Sequence, residues 1–227
     1  IVLTENWKPA GTGGQSSRGW GVLLEQSGVV ETLVATFRAD AGWHDAIVWT
    51  QFRAGRSFED GTPAEGTFRQ QYRPRVHEVS QTALMVAPDN AEAGVIARLD
   101  AAEDSIAVVQ VGVGGPDQSF VRALKRAASR GVDVRLLLSR AWYTREDNQA
   151  VASRLESWAN REGASLSVRL ARPRGRFEKI HAKGVIIDGE TVLLGSLNWN
   201  DHAARENREV VVALTGAGPA AYFQRVF

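Results

Sequence analysis

From Ala83 onward the apolar positions follow two alternating periods. Spacings of three and four predict helices over 91–103, 118–130 and 147–162, and short apolar runs predict strands over 105–113, 132–138 and 166–170. Strands that alternate with helices imply an α/β sandwich with a largely parallel sheet, because a parallel neighbour needs a crossover. Asp188-Gly189, lying between two apolar runs, is a hairpin turn signal and pairs strands predicted over 181–187 and 191–194. Upstream the pattern is less regular. Residues 1–43 run strand, Gly-rich loop (11–21), strand (22–25), then an amphipathic stretch with Val30, Leu33, Val34 and Phe37 at helical spacing. Residues 44–82 have weak periodicity and are interrupted by Pro63 and Pro74, as in a connector. The expected organisation is therefore a small incomplete unit (1–43), a connector (44–82) and an α/β unit (83–227).

Composition narrows the class. A chain of 227 residues with 44% hydrophobic content buries a full core. With 27 basic and 26 acidic residues the net charge is +1, so no overall field selects nucleic acid or an anionic membrane, and any basic patch is local. There is no cysteine, which excludes a disulfide scaffold and a thiolate metal site and leaves the compartment open. No apolar run approaches the roughly 18 residues of a membrane-spanning helix. The chain opens on Ile1-Val2-Leu3, which reads as mid-strand, so a preceding segment is expected.

The chemistry is concentrated in residues 179–212. Side chains alternate along a strand, so His181 and Lys183 are expected on one face, with small Ala182 and Gly184 on the other. After the second strand comes Gly195-Ser196-Leu197-Asn198, where backbone N–H groups and two short polar side chains can converge on an anion such as a phosphate.

His181, Lys183, Asp188, Gly195, Ser196 and Asn198 together resemble the phospholipase D superfamily signature H-x-K-x4-D-x6-G-S-x-N, without a gap. Six fixed residues recur by chance on the order of once in a hundred million starts. The resemblance implies a phospholipase D-like α/β/α sandwich in which two halves pack about a pseudo-twofold axis, with the site between them. It also implies the roles. His181 attacks phosphorus to give a phosphohistidine, Lys183, Asn198 and Ser196 stabilise the nonbridging oxygens, and the acidic residue after the motif, Glu209, orients the histidine. Asp188 holds the turn and Gly195 belongs to the structural part of the motif. Neither metal nor cofactor is implied.

Such proteins use two copies of the motif, and this sequence has one H-x-K. Its amino terminus reads as the tail of a first copy. Thr4-Glu5-Asn6-Trp7 parallels Ser196-Leu197-Asn198-Trp199, and 17–22 parallels 207–212 with two residues inserted between the blocks, which sets Gly19 opposite Glu209. Thr4 and Asn6 are thus expected to face phosphate, and the missing first motif to come from an upstream segment, another chain or a homodimer. Arg174 and Arg176 lie in a basic loop that either contacts a polyanionic substrate or is simply solvated. Trp7 and Trp199 fit packing at least as well as substrate stacking. The resemblance leaves the phosphodiester open between phospholipid and nucleic acid. It also leaves open whether water or an alcohol accepts the phosphoryl group, or whether the protein has become a binding scaffold.

Overall fold

The computed structural model describes residues 1–6, 17–42, 55, 72–171 and 179–227. The expected connector therefore lies largely outside the described residues. In chain order the elements are β1 (Val2–Leu3), β2 (Ser17–Arg18), β3 (Gly21–Val22), α1 (Ser27–Ala41), β4 (Gln81–Ala87), α2 (Ala91–Asp100), β5 (Ser105–Gln110), α3 (Ser119–Ser129) and β6 (Asp133–Leu138). Then follow α4 (Arg145–Glu162), β7 (Leu166–Leu170), β8 (Lys179–Ile180), β9 (Gly184–Ile187), β10 (Thr191–Gly195), α5 (Asp201–Arg205), β11 (Glu209–Thr215) and α6 (Ala217–Val226).

Seven strands form one sheet in the order β4-β11-β10-β9-β5-β6-β7. Only β5, β6 and β7 are mutually parallel, joined through α3 and α4, and the other pairings are antiparallel. The expectation of a largely parallel sheet is corrected here. The helix-strand alternation holds for residues 91–170, but the β9–β10 hairpin reverses direction, and β11 and β4 continue the antiparallel run.

Strand alternation builds two cores. Ile106, Val108, Val185, Ile187, Leu193, Val211 and Ala213 pack against α2, α3, α4 and α5. Their neighbours Ala107, Val109, Ile186, Val192, Leu194, Val212 and Leu214 point the other way, onto α6, Val2 and Trp20. The result is a three-layer α/β/α sandwich whose second layer of cover is α6 together with the amino-terminal ribbon. Among the described residues no helix is long and apolar enough to cross a membrane.

That ribbon repeats the β10–β11 pair in miniature. β1 and β3 pair antiparallel, as β10 and β11 do. Thr4 N–H donates to Trp20 O at 3.0 Å while Thr4 Oγ1 accepts from Trp20 N–H at 2.8 Å. Ser196 N–H donates to Val210 O at 2.9 Å while Ser196 Oγ accepts from Val210 N–H at 3.1 Å. The correspondence of Thr4 with Ser196 and of Trp20 with Val210, read from sequence, is thus also a correspondence of hydrogen bonds.

The β9–β10 turn is held by the motif aspartate. Asp188 and Gly189 have φ of 52° and 64°, and Glu190 N–H donates to Ile187 O at 3.0 Å, closing the tight turn. The Asp188 carboxylate accepts from the N–H groups of Ser105 (2.8 Å), Asp104 (2.9 Å) and Glu103 (3.1 Å), pinning the turn to the start of β5. Burial alone pushes this carboxyl up, but the three amides outweigh it and hold it below its ordinary value. A depressed carboxyl contributes stability that is present above its unfolded pKa and is lost as pH falls through the folded value. Asp188→Ala is expected to cost about 2 kcal/mol at pH 7 in urea unfolding. The gap from wild type should narrow below about pH 4, and a gap independent of pH would show that the charge is not what holds the turn.

Candidate active site

Strand register defines one functional edge of the sheet. Gly184 pairs with Val109 of β5 and with Leu194 of β10, so Lys183 is level with Gln110 at the end of β5 and with Gly195 at the end of β10. At Gly195 the backbones crowd: a Cβ there would lie 1.9 Å from Val210 O. This is the physical reason for the motif glycine.

His181 and Lys183 were expected on one continuous strand. The strand is instead interrupted, with β8 ending at Ile180 and β9 starting at Gly184. β8 pairs in parallel with β2, and His181 N–H donates to Arg18 O at 2.9 Å, so the amino-terminal ribbon sets the position of the histidine backbone. Trp20, buried at 5% exposure, covers Gly184 so closely that a Cβ there would meet its ring at 2.2 Å. The two side chains still converge, with Lys183 Nζ 3.1 Å from His181 Nδ1 and 3.4 Å from Nε2.

Lys183 is 4% exposed and donates to Thr4 O (3.0 Å) and His181 O (2.9 Å). Burial pushes its amine down to about 8; Glu5 and Glu209 pull the other way, and Lys179 adds to the depression. The His181 ring has its own set of neighbours. Nδ1 lies 3.2 Å from Thr4 O and 3.3 Å from Glu5 Oε2, and the Glu5 side chain is only 8% exposed.

The sequence-predicted residues divide on inspection. Glu209, expected to orient His181, accepts from Asn207 Nδ2 at 3.2 Å, and the carboxylate against the imidazole is Glu5. Ser196 cannot offer its backbone N–H to a ligand because Val210 O takes it; its hydroxyl accepts from Val210 N–H and keeps its own proton to donate. Asn198 lies in the loop after β10 at the same edge, where its carbonyl accepts from Asn200 N–H at 3.0 Å. Thr4 does not present its hydroxyl to phosphate as expected. That hydroxyl is buried against Trp20, and the carbonyl of Thr4 is what faces Lys183 and His181. Asn6 is exposed, and Arg174, Arg176 and Trp7 lie outside the described residues. Trp199 is 2% exposed and stacks on Phe120 at 5.1 Å, so it belongs to the core. Among the described residues no cluster of His, Cys, Asp or Glu is arranged to hold a metal ion.

Sequence reasoning missed Glu5 because it falls on the variable position of the motif parallel. One signal was available: Gly19 stands where the parallel sets Glu209, so the amino-terminal block lacks an acid at that position.

A mixed sheet with His181, Lys183, Gly195, Ser196 and Asn198 of the motif at one end, and Asp188 bracing the β9–β10 turn at the other, defines the phospholipase D class of folds. The sequence model of the family described as cardiolipin synthase, phospholipase D-like domain matches residues 95–227, and the chain belongs to that family within the phospholipase D superfamily. Cardiolipin synthase A of Pseudomonas aeruginosa (strain LESB58) is 34% identical over 103 residues, 45% of this chain and 20% of that protein. The matched region thus spans about a fifth of that relative's length. Among solved structures, Nuc of Salmonella typhimurium, a phospholipase D family member, superimposes with a TM-score of 0.51 at 26% identity, covering 64% of this chain and 91% of Nuc. Phosphatidylserine synthase of Haemophilus influenzae Rd KW20 shares the fold with a TM-score of 0.53 at 13% identity, covering 90% of this chain and 46% of that one.

The depressed Lys183 makes a pH-dependent prediction. Between about pH 8 and about 10.5 the unfolded chain binds more protons than the folded one, so the cost of the buried ammonium is full below pH 8 and is relieved as pH rises. Urea unfolding of Lys183→Met beside wild type should show the stability difference moving toward wild type by roughly 2 kcal/mol between pH 7 and pH 10. A constant difference would place the titration elsewhere.

Proposed function

We propose that this chain carries the nucleophilic half of a metal-independent phosphodiesterase acting through a phosphohistidine. The observation that supports this is the cluster itself: an imidazole with acceptors against Nδ1, beside a buried ammonium whose charge is not screened by water. In the first step the Nε2 lone pair attacks phosphorus, an N–P bond forms, the P–O bond to the leaving group breaks, and that oxygen takes a proton. Lys183 and Asn198, with the Ser196 hydroxyl, stabilise charge on the nonbridging oxygens. In the second step a water oxygen attacks phosphorus and gives its proton to the group that protonated the leaving oxygen, the N–P bond breaks and His181 is regenerated. The proton for the leaving group comes from a second H-x-K half, carried by the same polypeptide, by another chain or by a second copy, in a pseudo-twofold arrangement. An alcohol in place of water at the second step gives phosphatidyl transfer; the names of the relatives, a cardiolipin synthase and a phosphatidylserine synthase, favour that second reading.

Hydrolysis of bis(p-nitrophenyl) phosphate is expected to persist in EDTA and to fall by at least about 10³-fold in His181→Asn. Added glycerol should leave the product as inorganic or monoester phosphate if water is the acceptor, and should yield a glyceryl diester if transfer dominates. Turnover abolished by EDTA would contradict the mechanism.

One feature favours a substrate with several phosphates. A cavity of about 420 Å³ lined by Arg140, Gln149, Arg169 and Leu170 opens at the ends of β6 and β7, the same sheet edge as Lys183. Neither guanidinium is paired with a carboxylate among the described residues. Trp142, two residues from Arg140, is 88% exposed. β9 and β7 are three strand spacings apart, on the order of 15 Å. A single lipid phosphodiester does not bridge that distance, whereas a nucleic-acid strand carries a charge roughly every 3.4 Å of axis. Replacing both Arg140 and Arg169 with alanine is expected to weaken binding of a fluorescent single-stranded oligonucleotide about tenfold and to flatten its salt dependence by about two phosphate contacts, roughly 1.4 in the log–log slope, without changing bis(p-nitrophenyl) phosphate turnover. Binding lost instead on phosphatidylglycerol vesicles would point to lipid.

A further inference from the structure

The amino-terminal ribbon and the β10–β11 pair make the same hydrogen bonds, so positions can be equated through the backbone: Thr4 with Ser196, Glu5 with Leu197, Gly19 with Glu209 and Trp20 with Val210. The two copies then differ in a reciprocal way. The carboxyl-terminal copy has an apolar residue in the loop (Leu197, 2% exposed) and an acid on the strand (Glu209). The amino-terminal copy has the acid in the loop (Glu5) and no side chain at the matching position between β2 and β3 (Gly19). These two changes depend on each other sterically. A Cβ on residue 19 would lie 2.3 Å from Glu5 Cγ and 2.4 Å from Glu5 Oε1, so the Glu5 side chain fills the space that a strand-borne acid would start from. Gly19 does not have positive φ, so its backbone does not itself demand glycine.

We infer that the carboxylate that positions His181 has been transposed from residue 19 to residue 5, and that Glu5 selects the histidine tautomer. The inference rests on the phosphodiesterase reading for its purpose but not for its geometry. Three groups converge on Nδ1: two acceptors, Thr4 O and Glu5 Oε2, and one donor, Lys183 Nζ. With the carboxylate present, Nδ1 carries the proton and donates toward Thr4 O and Glu5, while Lys183 is occupied by Thr4 O and His181 O. A bond from Nδ1–H to the Glu5 carboxylate is charge-assisted, as one from the Lys183 ammonium to Nδ1 would be, and the competition is decided because Lys183 already has two carbonyl acceptors whereas the carboxylate has no other donor at Oε2 among the described residues. Nε2 is then unprotonated and can attack phosphorus. Without Glu5, Lys183 donates to Nδ1, the proton moves to Nε2, and the nucleophilic lone pair is lost. Glu5 is thus a positioning residue acting through His181.

The test is a swap. Nitrogen-15 NMR of the His181 ring reads the tautomer directly, and bis(p-nitrophenyl) phosphate hydrolysis reads its consequence. Wild type is expected to show the Nδ1–H form, and Glu5→Gln and Glu5→Leu the Nε2–H form with activity down at least about 100-fold. Gly19→Glu alone should lower activity, because its side chain collides with Glu5. Glu5→Leu combined with Gly19→Glu, which recreates the other copy's arrangement, should restore the Nδ1–H form and bring activity to within a few-fold of wild type. An unchanged tautomer in the isosteric Glu5→Gln overturns the inference, as does a folded double variant that stays in the Nε2–H form. If the assembled protein with both halves shows no phosphodiester turnover, the functional reading fails while the ring spectra still decide the transposition.

Discussion

The site depends on keeping the Lys183 ammonium out of water beside an imidazole. Removing a charge from solvent costs several kcal/mol unless polar partners replace the hydration. The fold supplies those partners from separate parts of the chain: the Thr4 carbonyl from the amino-terminal ribbon, the His181 carbonyl from the β8–β9 break, and the charges of Glu5 and Glu209. The interruption of the strand at residues 181–183 is part of this. A regular strand would turn the His181 carbonyl into a ladder, whereas here it accepts from Lys183 itself.

The amino-terminal residues are therefore not an appendage. Through β2 they fix the His181 backbone, through Trp20 they seal Gly184, and through Thr4 and Glu5 they surround the ring. The Thr4–Trp20 and Ser196–Val210 bonds show how one backbone device is used twice, once in each antiparallel pair, with a short hydroxyl side chain closing both. What each pair adds to that shared frame differs, and the difference falls on the acidic side chain.

Much of this was legible in the amino acids. The six motif residues, the Asp188-Gly189 turn and the alternation over 91–170 depend on local spacing, and local spacing survives folding. The direction of β4 and β11 was not legible, because an apolar run does not say which way its neighbour travels. Glu209 drew attention because the motif parallel marks its position, and Glu5 did not because its position is variable in that parallel. Only the three-dimensional packing of the Glu5 side chain into the space where a Cβ on residue 19 would lie connects the two. Thr4 shows the same limit: its residue type suggested a phosphate contact, and its burial against Trp20 assigns the hydroxyl to the backbone.

The central claim is a covalent bond between His181 and phosphorus. The direct measurement is rapid alkaline quenching of the protein during turnover of a phosphorus-labelled diester, followed by peptide mass spectrometry. The account predicts an acid-labile, base-stable adduct on the peptide containing His181, formed and lost at rates compatible with turnover and absent from His181→Asn. Turnover that continues in the substituted protein, or an adduct on another residue, would contradict it.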